Sequence, residues 1–157
     1  MVSLARGEKN RNNLCFLLVH TVAPLALGGL IYLTWAPRSL KVFAWLKLLG
    51  LERLVLIWRQ LAGGYRVYLP NWIFYYTPDF LWVYALTMLL SLLWLAEPGW
   101  RKFPVVTGLA LGLALELGQK AGWISGTYDP TDLVAEFIAF LMAITIAGRF
   151  IKGSGTQ

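Results

Sequence analysis

The chain has 157 residues, 58% of them hydrophobic and 14% charged, with a net charge of +6 and a mean hydropathy of +0.60. A water-soluble domain is about half apolar and about one quarter charged, so this composition excludes an ordinary soluble globule and points to an integral membrane protein. The positive surplus reads as basic flanks facing anionic lipid and not as a nucleic-acid surface. The one cysteine, Cys15, excludes an intramolecular disulfide and any cysteine-rich metal site.

A spanning helix needs about 20 mostly apolar residues. The first run that qualifies is 14–36, led by a tail carrying Arg6, Lys9 and Arg11. It is too long for the apolar core of a signal peptide and no small-residue cleavage site precedes Pro37, so it reads as an uncleaved anchor. Pro24 and the pair Gly28–Gly29 are positions for a bend or for close approach of a neighbour. The lone histidine, His20, reads as a packed polar residue within this helix.

Residues 39–62 are interrupted by charge too often to span. On one continuous helix Arg38, Lys41, Glu52, Arg53 and Arg59 fall within about 120° of arc, opposite a Leu/Val/Trp face. That pattern predicts an amphipathic helix lying on the membrane surface. A helix packed on the bundle is the alternative, and Gly50 is where a break would fall. An aromatic interfacial loop follows over 63–79. Three further spans are predicted at about 79–96, 103–121 and 131–151. The expected fold is therefore all-α, a polytopic four-helix membrane bundle forming one domain over 1–157. Counting Lys and Arg outside the amphipathic segment favours a cytoplasmic N-terminus.

In this topology the loops after spans one and three emerge on the same face. Asp79 starts span two there. Glu116 and Gln119 end span three, Asp129 and Asp132 start span four, and Glu136 lies one turn deeper. Arg66 and several tyrosines join them. Gly108, Gly112 and Glu116 form one stripe at a spacing of four residues, and Asp132, Glu136, Ala139, Ala143 and Ala147 form another. Small-residue stripes let helices pack closely in lipid, so pairing these two would bring Glu116 and Glu136 together. A charged side chain at mid-membrane costs roughly 2.5–3.5 kcal/mol, and two neighbouring carboxylates would have to share a proton or a cation. Plainer readings stand beside this. Asp129 before Pro130 makes a good helix cap, Glu116 and Lys120 could be a simple i,i+4 pair, and Asp79 could be a helix start. Glu136 has no equally cheap explanation.

The stretch Glu116-Leu-Gly-Gln119 followed by Asp129-Pro-Thr-Asp132 and Glu136 resembles the VanZ-like family of small polytopic membrane proteins. The family carries Glu-x-x-Gln, then Arg, Asp, a second Asp and an Asn four residues later. Glu116, Gln119, Asp129 and Asp132 match, whereas Gly126 stands at the Arg position and Glu136 at the Asn position. The site is thus more negative than the family's, which disfavours an anionic ligand and favours a cation or a cationic or neutral head group. The resemblance implies a four-helix membrane domain linked, through the family's namesake, to glycopeptide resistance at the cell envelope. It implies no defined reaction.

The expected function is binding of a polar lipid or envelope amphiphile, or a cation, at Asp79, Glu116, Gln119, Asp129, Asp132 and Glu136, in a bacterial inner membrane. No metal site is read from the sequence, the cofactor is unknown, and membrane lipids are the expected partners. The alternatives are an accessory subunit of a larger membrane complex or homo-oligomer, a membrane hydrolase using Glu116 or Glu136 as acid or base, and a small transporter.

Overall fold

The computed structural model describes residues 11–38, 41–124 and 128–155. The tail with Arg6 and Lys9, and Gly126 at the position of the family's Arg, lie outside them. Every regular element among the described residues is helical. Helix α1 (Arg11–Trp35), α5 (Thr77–Trp94) and α7 (Pro130–Gly155) each contain a run long and apolar enough to cross a membrane.

Within α1, residues Leu18–Val22 form a π-turn in which the Ala23 N–H reaches back to the Leu18 carbonyl. Pro24 explains it: proline has no N–H to give the His20 carbonyl, and the widened turn absorbs the mismatch. His20 Nδ1 lies 2.7 Å from the Tyr84 hydroxyl, a hydrogen bond linking α1 to α5. Its ring also packs on Phe16, which stacks on Phe150 of α7 with ring centroids 3.8 Å apart. His20 is therefore a packed polar residue fastening three helices.

Gly28 faces α5, and a side-chain carbon there would meet the Trp82 ring at 2.8 Å. Gly29 faces open space.

The amphipathic segment is broken where glycine permits it. Helix α2 (Lys41–Leu48) and α3 (Glu52–Ala62) are separated at Gly50, whose φ is +71°. The Gly50 N–H donates to the Lys47 carbonyl at 3.0 Å and the Leu51 N–H to the Leu46 carbonyl at 2.8 Å, the two bonds of a Schellman stop. The single continuous helix expected over 39–62 does not form, and its common charged arc is lost with it. Helix α3 is docked on the bundle as well as amphipathic. Arg59 Nη1 donates to the carbonyls of Leu33 at 2.8 Å and Ala36 at 3.0 Å, and Trp58 Nε1 donates to Thr34 Oγ1 at 2.6 Å. The guanidinium thus closes the C-terminal end of α1, where orphan carbonyls favour a cation. Partial burial, and then the neighbouring charge of Arg38, hold Arg59 below the ordinary arginine range. Leu54, Ile57, Trp58 and Leu61 stay exposed on its apolar side, as a helix resting on lipid requires.

The polypeptide then makes a 3₁₀ segment (Gly63–Tyr68) and a one-turn helix α4 (Trp72–Tyr75) before entering α5.

Helix α5 is the centre of the molecule. Val83, Tyr84 and Met88 pack on Ala139, Ala143 and Ala147 of α7, and these six residues form the central cluster of the buried core. The alanine stripe of α7 therefore meets α5, not the glycine stripe with which the sequence pairs it. The third expected span also differs. Residues Gly99–Val106 wind as a 3₁₀ segment, and helix α6 (Thr107–Lys120) has 14 residues. At 1.5 Å per residue that is roughly 21 Å, short of a hydrocarbon core of about 30 Å. Pro104 inside the 3₁₀ segment and Gly99, with φ +56°, account for the late start. At its other end α6 stops at Gly122, φ +74°, with a second Schellman pair: Gly122 N–H to the Gln119 carbonyl at 3.0 Å and Trp123 N–H to the Gly118 carbonyl at 2.9 Å.

Candidate functional site

Two glycines set α6 into the crevice between α5 and α7. A side-chain carbon on Gly108 would overlap Thr87 Oγ1 and lie 3.2 Å from the Thr87 backbone nitrogen, so here the α6 and α5 backbones are nearly in contact. One turn on, a side-chain carbon on Gly112 would overlap the Glu136 carboxylate, with Cδ at 2.6 Å. Counting two turns from the Gly108–Thr87 contact toward the loop face, α6 reaches Glu116 and α5 reaches Asp79. The antiparallel register thus brings these two acids to the same level, within electrostatic reach of one another.

At that level a cavity of about 530 Å³ is lined by Tyr75, Tyr76, Asp79, Glu116, Gln119, Asp129 and Asp132. Among the described residues no lysine or arginine lines it. Five of the six site residues expected from sequence therefore share one wall, contributed by α5, α6 and the start of α7. Tyr75 and Tyr76 are additions; the sequence marked only a general tyrosine enrichment in this loop.

Glu136 is placed differently. It is 3% exposed, does not line the cavity, and sits behind it against Gly112, with Oε2 lacking a hydrogen-bond partner among the described residues. Asp79, Glu116 and Asp132 lie within electrostatic reach of it. Glu116 lies within electrostatic reach of Glu136, and what seats Glu136 is Gly112 receiving its carboxylate, not glycines packing on alanines.

Glu116 itself is 5% exposed. Its Oε2 accepts the Asp129 backbone N–H at 3.3 Å, tying the end of α6 to the start of α7. Lys120, the i+4 partner offered by the sequence, instead carries its ammonium 4.9 Å over the Tyr128 ring.

Asp129 performs the capping task its neighbours suggest. Its Oδ1 accepts the Thr131 N–H at 2.8 Å, and its Oδ2 accepts the Tyr76 hydroxyl at 3.3 Å. The Thr131 bonds hold its carboxyl below the usual carboxylate range, and the Tyr76 bond adds to this. A lowered value in the folded state means that the contribution is fully present above the ordinary aspartate range and fades as pH falls through the folded value. We expect Asp129→Asn to melt like the parent at pH 7, because asparagine caps equally well. Asp129→Ala should melt lower, and its deficit relative to the parent should begin to shrink below about pH 4, the ordinary aspartate value, and vanish once pH has fallen through the lowered value of the folded cap. Melting curves in detergent at pH 7 and pH 3.5 check both.

Among the described residues no three His, Cys, Asp or Glu side chains are arranged to ligate a metal ion. No histidine or cysteine lines the cavity, so it offers neither a thiol nucleophile nor an imidazole base. It does offer a negatively charged, hydrogen-bond-accepting recess, reached from a loop whose Tyr65, Tyr68, Trp72 and Tyr75 are exposed. Rings of this kind sit at the head-group level of a bilayer. Compared with protein-family models, curated proteins and solved structures, the chain gives no match.

Proposed function

We propose that this chain is a VanZ-like membrane protein of the bacterial inner membrane, with its N-terminus in the cytoplasm. In this reading it binds the cationic or hydrogen-bond-donating head group of a lipid or envelope amphiphile in the acidic cavity. Helix α6 together with the 3₁₀ segment before it makes the fourth crossing, since 3₁₀ turns rise about 2 Å per residue and lengthen the element beyond the reach of α6 alone.

The observation that carries the reading is the shared wall of Asp79, Glu116, Gln119, Asp129 and Asp132 around one cavity at the aromatic end of the bundle. Carboxylates gathered without a basic partner in a low-dielectric setting repel one another, and a bound cationic group removes that repulsion while accepting charge-assisted hydrogen bonds. The four motif positions Glu116, Gln119, Asp129 and Asp132, which carry the family resemblance, all belong to this wall. In this reading their role is to hold and orient a ligand.

The test uses the whole protein in lipid nanodiscs, with native mass spectrometry reading how much of each probe stays bound. Octadecylamine, an ammonium amphiphile, should be retained over dioleoylphosphatidylglycerol. Glu116→Gln and Asp132→Asn should each lower octadecylamine retention about tenfold, the value of one charge-assisted hydrogen bond. Equal retention of the amine by parent and both variants would remove the acidic cavity as its site.

A further inference from the structure

The acidic cavity has a neighbour of opposite character. A second cavity, of about 260 Å³, shares Tyr75 and Asp79 with the first and is otherwise lined by residues that include Tyr32, Trp35 and Arg66. Among the described residues, Arg66 is the one Lys or Arg lining either cavity. Its guanidinium carbon lies 5.3 Å from the centre of the Phe74 ring, a cation–π contact that holds the side chain beside the cavity. Trp35 Nε1 is buried with no hydrogen-bond acceptor among the described residues. An indole nitrogen can only donate, so an acceptor brought to it from the cavity that Trp35 lines would satisfy this group. Tyr32 and Tyr75 also line this cavity and carry hydroxyls able to donate.

We infer that this second cavity is a phosphate subsite, and that the two cavities together take a zwitterionic head group: phosphate at Arg66 and Trp35, ammonium among Asp79, Glu116 and Asp132. The inference rests on the head-group reading of the acidic cavity and names its ligand class. An isolated anion is disfavoured, because Asp79 stands on the common wall and Glu116 and Asp132 lie just beyond it. An isolated cation leaves the Trp35 N–H unmet and gains nothing from Arg66. A phosphate joined to an ammonium by a short bridge answers both, with the anionic half on the donor side and the cationic half on the acid side. Arg66 thereby supplies, from the 3₁₀ segment after α3, a cation that the motif around Gly126 does not.

Three probes in nanodiscs separate the parts: dioleoylphosphatidylethanolamine (phosphate and ammonium), octadecylamine (ammonium alone) and dioleoylphosphatidylglycerol (phosphate without ammonium). The parent protein should retain the ethanolamine lipid most strongly. Arg66→Gln should lower that retention about tenfold while leaving octadecylamine unchanged, and Trp35→Phe should lower it severalfold in the same selective way. Unchanged ethanolamine-lipid retention in both variants overturns the phosphate subsite. So does equal retention of phosphatidylglycerol by the parent, or loss of octadecylamine along with the ethanolamine lipid in Arg66→Gln. If Glu116→Gln still lowers both amine probes, the acidic-cavity reading survives that failure; if it lowers neither, both readings fall.

Discussion

Gly108→Val is expected to lower the melting temperature by on the order of 10 °C, the largest effect of any single change in α6. The reason is what lies across the contact. A side-chain carbon at this position meets not only Thr87 Oγ1 but the Thr87 backbone, with nitrogen at 3.2 Å and Cα at 3.4 Å. A side chain can rotate away from an intruder, whereas a helix backbone must move as a rod. Helix α6 would have to slide or lift from α5, carrying Glu116 and Gln119 away from the cavity. Gly29→Ala is the control, since nothing lies within 4 Å of that position. There the gain in helix propensity should leave stability equal or slightly raised. Differential scanning fluorimetry on detergent-purified protein reads both. A Gly108→Val variant that melts with the parent would mean that α5 and α6 do not touch there.

The second large effect has the opposite sign. Glu136→Gln should raise stability by about 1–3 kcal/mol, the penalty of leaving a buried acceptor unmatched. The parent carboxylate is 3% exposed, its Oε2 has no partner among the described residues, and three other acids lie in electrostatic range. An amide of the same shape removes the repulsion and brings a donor to a region rich in acceptors, among them Asp132 Oδ1, itself buried and unpartnered. Coupling sharpens the measurement. Gly112→Ala should be strongly destabilising in the parent, where it displaces the carboxylate, and much less so beside Glu136→Ala, giving a non-additive cycle. A Glu136→Gln variant that melts lower than the parent, with an additive cycle, would show that the carboxylate has a partner and does not rest on Gly112. A stabilising replacement at a natural residue is a mark of function, because selection retains such a group for what it does and not for how it packs.

Much of this was legible in the sequence because hydropathy and polar placement are local signals. The apolar runs announce α1, α5 and α7, and the loop-face position of Asp79, Glu116, Gln119, Asp129 and Asp132 follows from counting spans. Asp129-Pro130 reads correctly as a helix start. Helix partnership was not legible. A row of alanines at 139, 143 and 147 is equally suited to any close neighbour, so periodicity identifies the face and is silent about which helix covers it. The length of α6 was missed for a different reason. Hydropathy sums residues without regard to their rise, and Pro104 with Gly99 are the signs that the chain over 99–106, including the first four residues of the expected span, winds more tightly. The depth of Glu136 behind the cavity wall follows from a single turn of helix beyond Asp132, a distance that matters only once Gly112 is known to receive it. The pairing of an acidic recess with a donor-lined one depends on Arg66 and Trp35, which lie 31 residues apart and carry no shared motif.

The glycine contacts at 108 and 112 also act as a ruler. Leu111, Leu113, Leu115 and Leu117 face outward, so their identities are free to drift among apolar types. The spacing between Gly108 and Glu116 is not. Inserting one residue between them would swing everything beyond it by about 100° around the axis, turning the carboxylate out toward hydrocarbon while the glycines stayed seated. Along this helix, then, spelling is negotiable and length is not.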